Sequence, residues 1–193
     1  MELQHVNVKM IVDGSAPVDL GPAIPVFHSW IQDRACEELL LDVADYRHVP
    51  AGPGVVLIGH EANYSLDNTD HRLGVRYNRK EPLGGTAEDR LTQAVRAALL
   101  ACQRLESDPR LEGKLRFGGR EWEFFVNDRL LAPNEDSSRQ ALDPEFQIFL
   151  RKLFSEKPYT LQYNLDDPRR LFSVRVETSD SFTPDQLLKN LLS

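Results

Sequence analysis

The sequence predicts an α+β fold, with a mainly antiparallel sheet built from successive hairpins and covered on one face by three to four helices. Three observations lead there. Short runs alternate apolar and polar residues with the period of a half-buried strand. Turn residues separate these runs closely enough for neighbouring strands to pair. Between them lie longer stretches with apolar residues at helical spacing, entered through capping residues or prolines.

The first strand is Val6, Val8, Met10 and Val12 alternating with His5, Asn7, Lys9 and Asp13, and Asp13-Gly14 ends it. After a proline-rich stretch, Ile24, Phe27 and Ile31 recur at helical spacing, with Pro22 or Pro25 suited to a first turn where the missing N–H costs little. Three strands follow, over Leu39 to Tyr46, Val55 to Leu66 and Leu73 to Arg79, separated by Pro50, Gly52, Pro53 and Gly54 and then by Asp67-Asn68. Val55-Val56-Leu57-Ile58 is apolar on both faces, which suits a central strand.

Thr86 opens the clearest helix. Its hydroxyl is placed to cap the Asp89 amide, and Leu91, Val95, Ala98, Cys102 and Leu105 trace one apolar stripe up to Asp108-Pro109. A hairpin is expected next, with Leu115 and Phe117 leading into Gly118-Gly119 and Trp122, Phe124 and Val126 returning. Asp143-Pro144 reads as an N-cap with proline at the first helical position, followed by Phe146, Phe149, Leu150 and Leu153. A further hairpin runs from Tyr159 through Asp166-Asp167-Pro168 to Thr178, and Thr183-Pro184 opens a last short helix on Leu187, Leu188 and Leu191. No linker interrupts residues 1–193, so a single α+β domain is expected.

Composition narrows the function classes. With 41% hydrophobic and 27% charged residues spread along 193 positions, the chain can build a core without disulfides or a structural metal. A formal net charge of −7 argues against a general nucleic-acid binder, because such affinity comes from surplus Lys and Arg. Met1 to Met10 alternates in polarity and lacks the continuous apolar core of a secretory signal. No apolar stretch approaches the roughly 20 residues that span a bilayer. Cys36 and Cys102 fit no Cys-x-x-Cys spacing and read as reduced core thiols of a cytoplasmic protein.

Two regions could carry chemistry. The denser lies between Asp42 and Tyr64, where Asp45, His48, His60 and Glu61 combine nitrogen and oxygen donors. His48 and His60 with a carboxylate would suit zinc or iron, although their spacing matches no diagnostic metal motif. Without a metal, His60 with Asp45 or Glu61 is a candidate acid–base pair for a hydrolase or lyase. Against both stands the ordinary reading, in which a histidine on an apolar strand face is a hydrogen-bonded structural residue.

The second region is Arg76-Tyr77-Asn78-Arg79-Lys80, where Arg76, Asn78 and Lys80 share a strand face able to grip a carboxylate or phosphate, with Arg79 beside them. The backbone of Gly84-Gly85-Thr86 could add donors at a helix N-terminus. Its ordinary reading is a solvated strand face. Familiar nucleotide-binding and nucleophile signatures are absent, and the sequence names no cofactor. The expectation is therefore a non-catalytic binding or accessory domain for a small anionic ligand or a protein partner, with no membrane role and with self-pairing into a homodimer left open. The alternative is the hydrolase or lyase between Asp42 and Tyr64.

Overall fold

The computed structural model describes residues 3–14 and 16–192. Eight strands form one antiparallel sheet: β1 (Val6–Ile11), β2 (Leu40–Tyr46), β3 (Gly54–Gly59), β4 (Ala62–Asp67), β5 (Gly74–Arg79), β6 (Glu121–Val126), β7 (Thr160–Tyr163) and β8 (Phe172–Glu177). Their order is β2-β3-β4-β5-β1-β6-β8-β7. The β2-to-β5 meander and the β6-β8-β7 group are joined by β1, whose Asn7 lies opposite Asn78 on one side and Phe125 on the other.

Four helices, α1 (Ala23–Asp33), α2 (Ala87–Ser107), α3 (Asp136–Leu153) and α4 (Pro184–Leu192), complete the fold. They cover the face that carries Val8, Met10, Tyr77 and Phe124. Trp30 of α1 meets Tyr64 edge-on, Cys102 of α2 lies against Met10, and Phe146 of α3 meets Phe124 at 4.9 Å between ring centroids. Leu187 of α4 is fully buried, and Asn190 ties α4 to the end of α3 through the Leu153 carbonyl. The expected α+β fold, with an antiparallel sheet backed by helices, is what the chain adopts.

Local capping signals translate directly. Thr86 Oγ1 accepts from the Asp89 amide at 3.2 Å while the Asp89 carboxylate accepts from the Thr86 amide at 2.7 Å. Thr183 and Gln186 make the same reciprocal pair ahead of α4.

Three sequence expectations need correction. The run from Val55 to Leu66 is two strands, since β3 and β4 are joined by a tight turn at His60-Glu61. The turn reverses the parity a single continuous strand would have: Tyr64 joins Leu57 on the helix-covered face, and His60 leaves the strand row altogether. Leu115 and Phe117 are buried but lie in irregular chain, because β6 is already flanked by β1 and β8 and has no free edge for them. Gly118-Gly119 still turns the chain, with Gly119 at φ +64 where a Cβ would sit 2.9 Å from the Phe182 carbonyl. Finally, α3 begins at Asp136, with Pro144 inside it. Asp143 is not its cap; its carboxylate instead accepts from the Tyr163 hydroxyl and pairs with Arg139.

Candidate functional site

Strand pairing builds a polar cleft on the face that the helices leave open. Side-chain parity points Asn7 and Lys9 of β1, Asp67 of β4, Arg76 and Asn78 of β5, Glu123 and Phe125 of β6, and Arg175 of β8 to that side. Residues 69–72 form one wall, and the β7–β8 connection, 164–171, forms the other, enclosing about 360 Å³. Asn134 fixes the second wall: its amide nitrogen donates to the carbonyls of Asn164 at 2.8 Å and Asp167 at 2.9 Å.

The cleft floor is desolvated to a degree unusual for an uncovered sheet face. Lys9 is 1% exposed and Asp67 2%, and they form an ion pair of 2.6 Å. The Asp67 carboxylate also accepts from the Thr69 amide and hydroxyl, so both ions are held. A dry ion pair needs this many partners, because desolvation otherwise outweighs the Coulomb attraction.

Most other cations here are neutralised. The Arg72 guanidinium bonds Glu121 and Glu123, and Arg175 lies 3.5–3.8 Å from Glu121, Glu123 and Glu177. Arg76 differs. Its guanidinium stacks on the Phe125 ring at 4.7 Å, its nearest carboxylate among the described residues is Asp67 at 3.9 Å, and its buried Nε donates to none of the described residues. Beside it, the side-chain Nδ2 and Oδ1 of fully buried Asn7 and the side-chain Oδ1 of Asn78 also have no hydrogen-bond partner among the described residues. Buried polar groups are nearly always satisfied, so these atoms stand out against the paired ions around them.

The remaining sequence candidates disperse. Lys80 folds its ammonium onto the Gly59 carbonyl, and Arg79 donates through Nε to the Glu81 carbonyl at 2.8 Å, so neither joins Arg76 in the cleft. At the start of α2, the Asp89 carboxylate takes the Thr86 amide and hydroxyl that would otherwise face an external anion.

The histidine region does not converge either. Asp45 is bound by Arg47 through the backbone amide, Nε and Nη2 at 2.8–3.0 Å, and those hydrogen bonds lower its carboxyl to about 2. His48 stacks on Tyr46 near one end of β3; His60 sits in the turn at its other end, about 17 Å away at strand rise, 3.7 Å from Glu61. Glu61 is held low by backbone donors, its own amide and that of Leu39. Among the described residues no three His, Cys, Asp or Glu side chains gather into a metal-binding group. The expected acid–base and metal sets, His60 with Asp45 and His48 with His60, are thus separated by a strand's length. His60 and Glu61 stay close only as sequence neighbours.

Lys9, Asp67, Phe125 and Arg72 belong to the cleft without standing out as candidates in the sequence. Their one local signal is the polar parity of β1, where Asn7 and Lys9 alternate with Val6, Val8 and Met10; it has the pattern of a solvated face. No helix among the described residues is long and apolar enough to cross a membrane. No protein-family model and no curated protein matches the chain.

Proposed function

We propose that the protein is a binding domain that captures a small anionic ligand in the cleft on the open sheet face. The observation that carries this is Arg76: a half-buried guanidinium, oriented by Phe125, whose buried Nε has no hydrogen-bond partner among the described residues. A carboxylate or phosphate oxygen would complete it with charge-assisted hydrogen bonds. The paired Lys9–Asp67 and Arg72–glutamate groups leave the cleft with little surplus charge, which suits a ligand of one or two negative charges rather than a polyanion.

The test is a thermal-shift and calorimetric series with inorganic phosphate, acetate, succinate and citrate at low ionic strength, on the wild type and on Arg76→Gln and Lys80→Ala. A charged hydrogen bond worth about 1.5–3 kcal/mol implies a loss of roughly tenfold or more in Arg76→Gln. Lys80→Ala should bind normally. If none of these anions stabilises the protein, or if Arg76→Gln binds equally well, the reading fails.

A second reading, a protein partner, is favoured by the outer edge of the sheet. Among the described residues β2 pairs on one side only, and Leu39 and Leu41 at its start are 60% and 53% exposed. An unpaired edge with exposed apolar side chains suits strand addition by another chain, including a second copy. Light scattering of the wild type and of Leu41→Lys separates these cases: a dimer broken by the substitution supports self-pairing, and a wild-type monomer removes it.

A further inference from the structure

A second pocket, also about 360 Å³, lies on the helix-covered side between the segment 35–38 and α2. Its inner end is Glu38, 9% exposed, whose carboxylate accepts from the Tyr64 hydroxyl at 2.7 Å, the Tyr77 hydroxyl at 2.8 Å and the Gln93 amide at 3.3 Å. All three donors are neutral. Among the described residues no cation lies within 4 Å of Glu38, although buried carboxylates ordinarily have one. With its hydrogen turned to Glu38, the Tyr64 oxygen keeps acceptor lone pairs for the pocket, while the Tyr77 oxygen already accepts from the Gln93 amide at 2.8 Å; this end is therefore rich in acceptors and short of positive charge.

The other end has the opposite character. Gln93, Ala97, Leu100 and Arg104 follow one another along one stripe of α2, leading from Glu38 past two apolar side chains to a guanidinium. Arg104 lies 5.9 Å above the Trp30 ring, and among the described residues it has no carboxylate partner. Arg96, nearer to Glu38, is already engaged by Glu37 at 2.6 Å. Arg104 lies eleven positions after Gln93, an axial rise of about 16 Å; both side chains lean towards the N-terminus, and the longer reach of the arginine shortens the span.

We propose that this pocket binds an extended zwitterion, with a terminal ammonium on Glu38, an aliphatic middle against Ala97 and Leu100, and a terminal carboxylate on Arg104. Each end supplies the charge its partner lacks, and the apolar middle excludes a ligand that is polar throughout. An α-amino acid, with its two charges adjacent, cannot reach both ends; ω-amino carboxylates have the right form. The site is on the opposite side of the sheet from the anion cleft and is independent of it.

The test is ligand-observed NMR and calorimetry of the full chain with ω-amino acids from β-alanine to 8-aminooctanoate, and with hexylamine and hexanoate as single-charge controls. Measured in the Arg76→Gln background, so that carboxylate binding in the open-face cleft does not contribute, the expected results are an affinity optimum at intermediate chain length, controls at least tenfold weaker, and tenfold losses on adding Glu38→Gln or Arg104→Gln. Should Glu38→Gln fail to fold, the Arg104→Gln variant and the single-charge controls still decide. Absence of binding, affinity independent of length, or equal binding of hexylamine would overturn the proposal.

Discussion

Replacing Lys9 with methionine tests whether the open sheet face is as dry as its geometry implies. The substitution keeps the side-chain length but leaves the Asp67 carboxylate, 2% exposed, without its ion partner at 2.6 Å. Removing one member of a buried pair ordinarily costs about 3–5 kcal/mol. Asp67 retains the Thr69 amide and hydroxyl, and Arg76 stands 3.9 Å away, so the lower part of that range applies, about 3 kcal/mol. For a chain of this length that corresponds to a fall in Tm of about 6–12 °C. Urea unfolding at pH 7 gives the free energy directly, and an unchanged slope would show that compactness is preserved. The double variant Lys9→Met/Asp67→Asn removes both charges and keeps an acceptor for Thr69; it should recover more than half of the loss. A cost below about 1 kcal/mol in the single variant would mean that water reaches the pair. A double variant no better than the single one would show that the loss came from packing rather than from a stranded charge.

Other expectations follow from single contacts. Asn134→Ala removes two hydrogen bonds to the 164–171 connection; it should cost about 2–3 kcal/mol and raise hydrogen exchange in that connection, while exchange in α2 is unchanged. Burial pushes the Cys36 thiol up to about 11 and Cys102 well above its ordinary value, so native thiols should react with a disulfide reagent at pH 8 far more slowly than the two thiols of the unfolded chain. Because the unfolded thiols ionise first, stability should fall as pH rises from about 9 to about 11, which unfolding midpoints across that range will show. Arg47 holds the Asp45 carboxyl down to about 2, so its contribution is complete above the ordinary carboxyl range and lost as pH falls towards 2; carboxyl NMR should place the Asp45 midpoint there, and Arg47→Gln, which removes the guanidinium but keeps the backbone donor, should return it part of the way to the ordinary range.

Features encoded within a few residues are legible in the sequence itself. The Thr86 and Thr183 caps, the α2 stripe from Leu91 to Leu105 and the alternation in β1 each depend on neighbours one helical turn or one pleat away, and each is present in the fold. The same period puts Arg76 and Asn78 on one face, and they do share it. Sequence and structure part where a distant segment decides. Gly59 heads the His60-Glu61 turn, where a Cβ would collide with the Ala62 carbonyl, but a lone glycine within a strand-like run does not by itself announce a reversal; pairing between β3 and β4 folds the chain there and reverses every side chain after it. Gly118-Gly119 has good turn chemistry, but the neighbours of β6 come from residues 6–10 and 172–177, leaving no edge for a local hairpin. Lys9 has the pattern of a solvated lysine, because its polar parity says only that it faces away from Val8. Its burial depends on Asp67, Arg76 and Glu123, supplied by strands some 60 to 110 residues further along. The stripe from Gln93 to Arg104 is visible as helix, but its role follows from Glu38 and Tyr64 arriving opposite it. Local sequence thus determined the period, the caps and the class of fold. Which polar face became a dry cleft, and which charges were left without partners, was set by strand order, because burial is a property of neighbours that meet only when the sheet closes around β1.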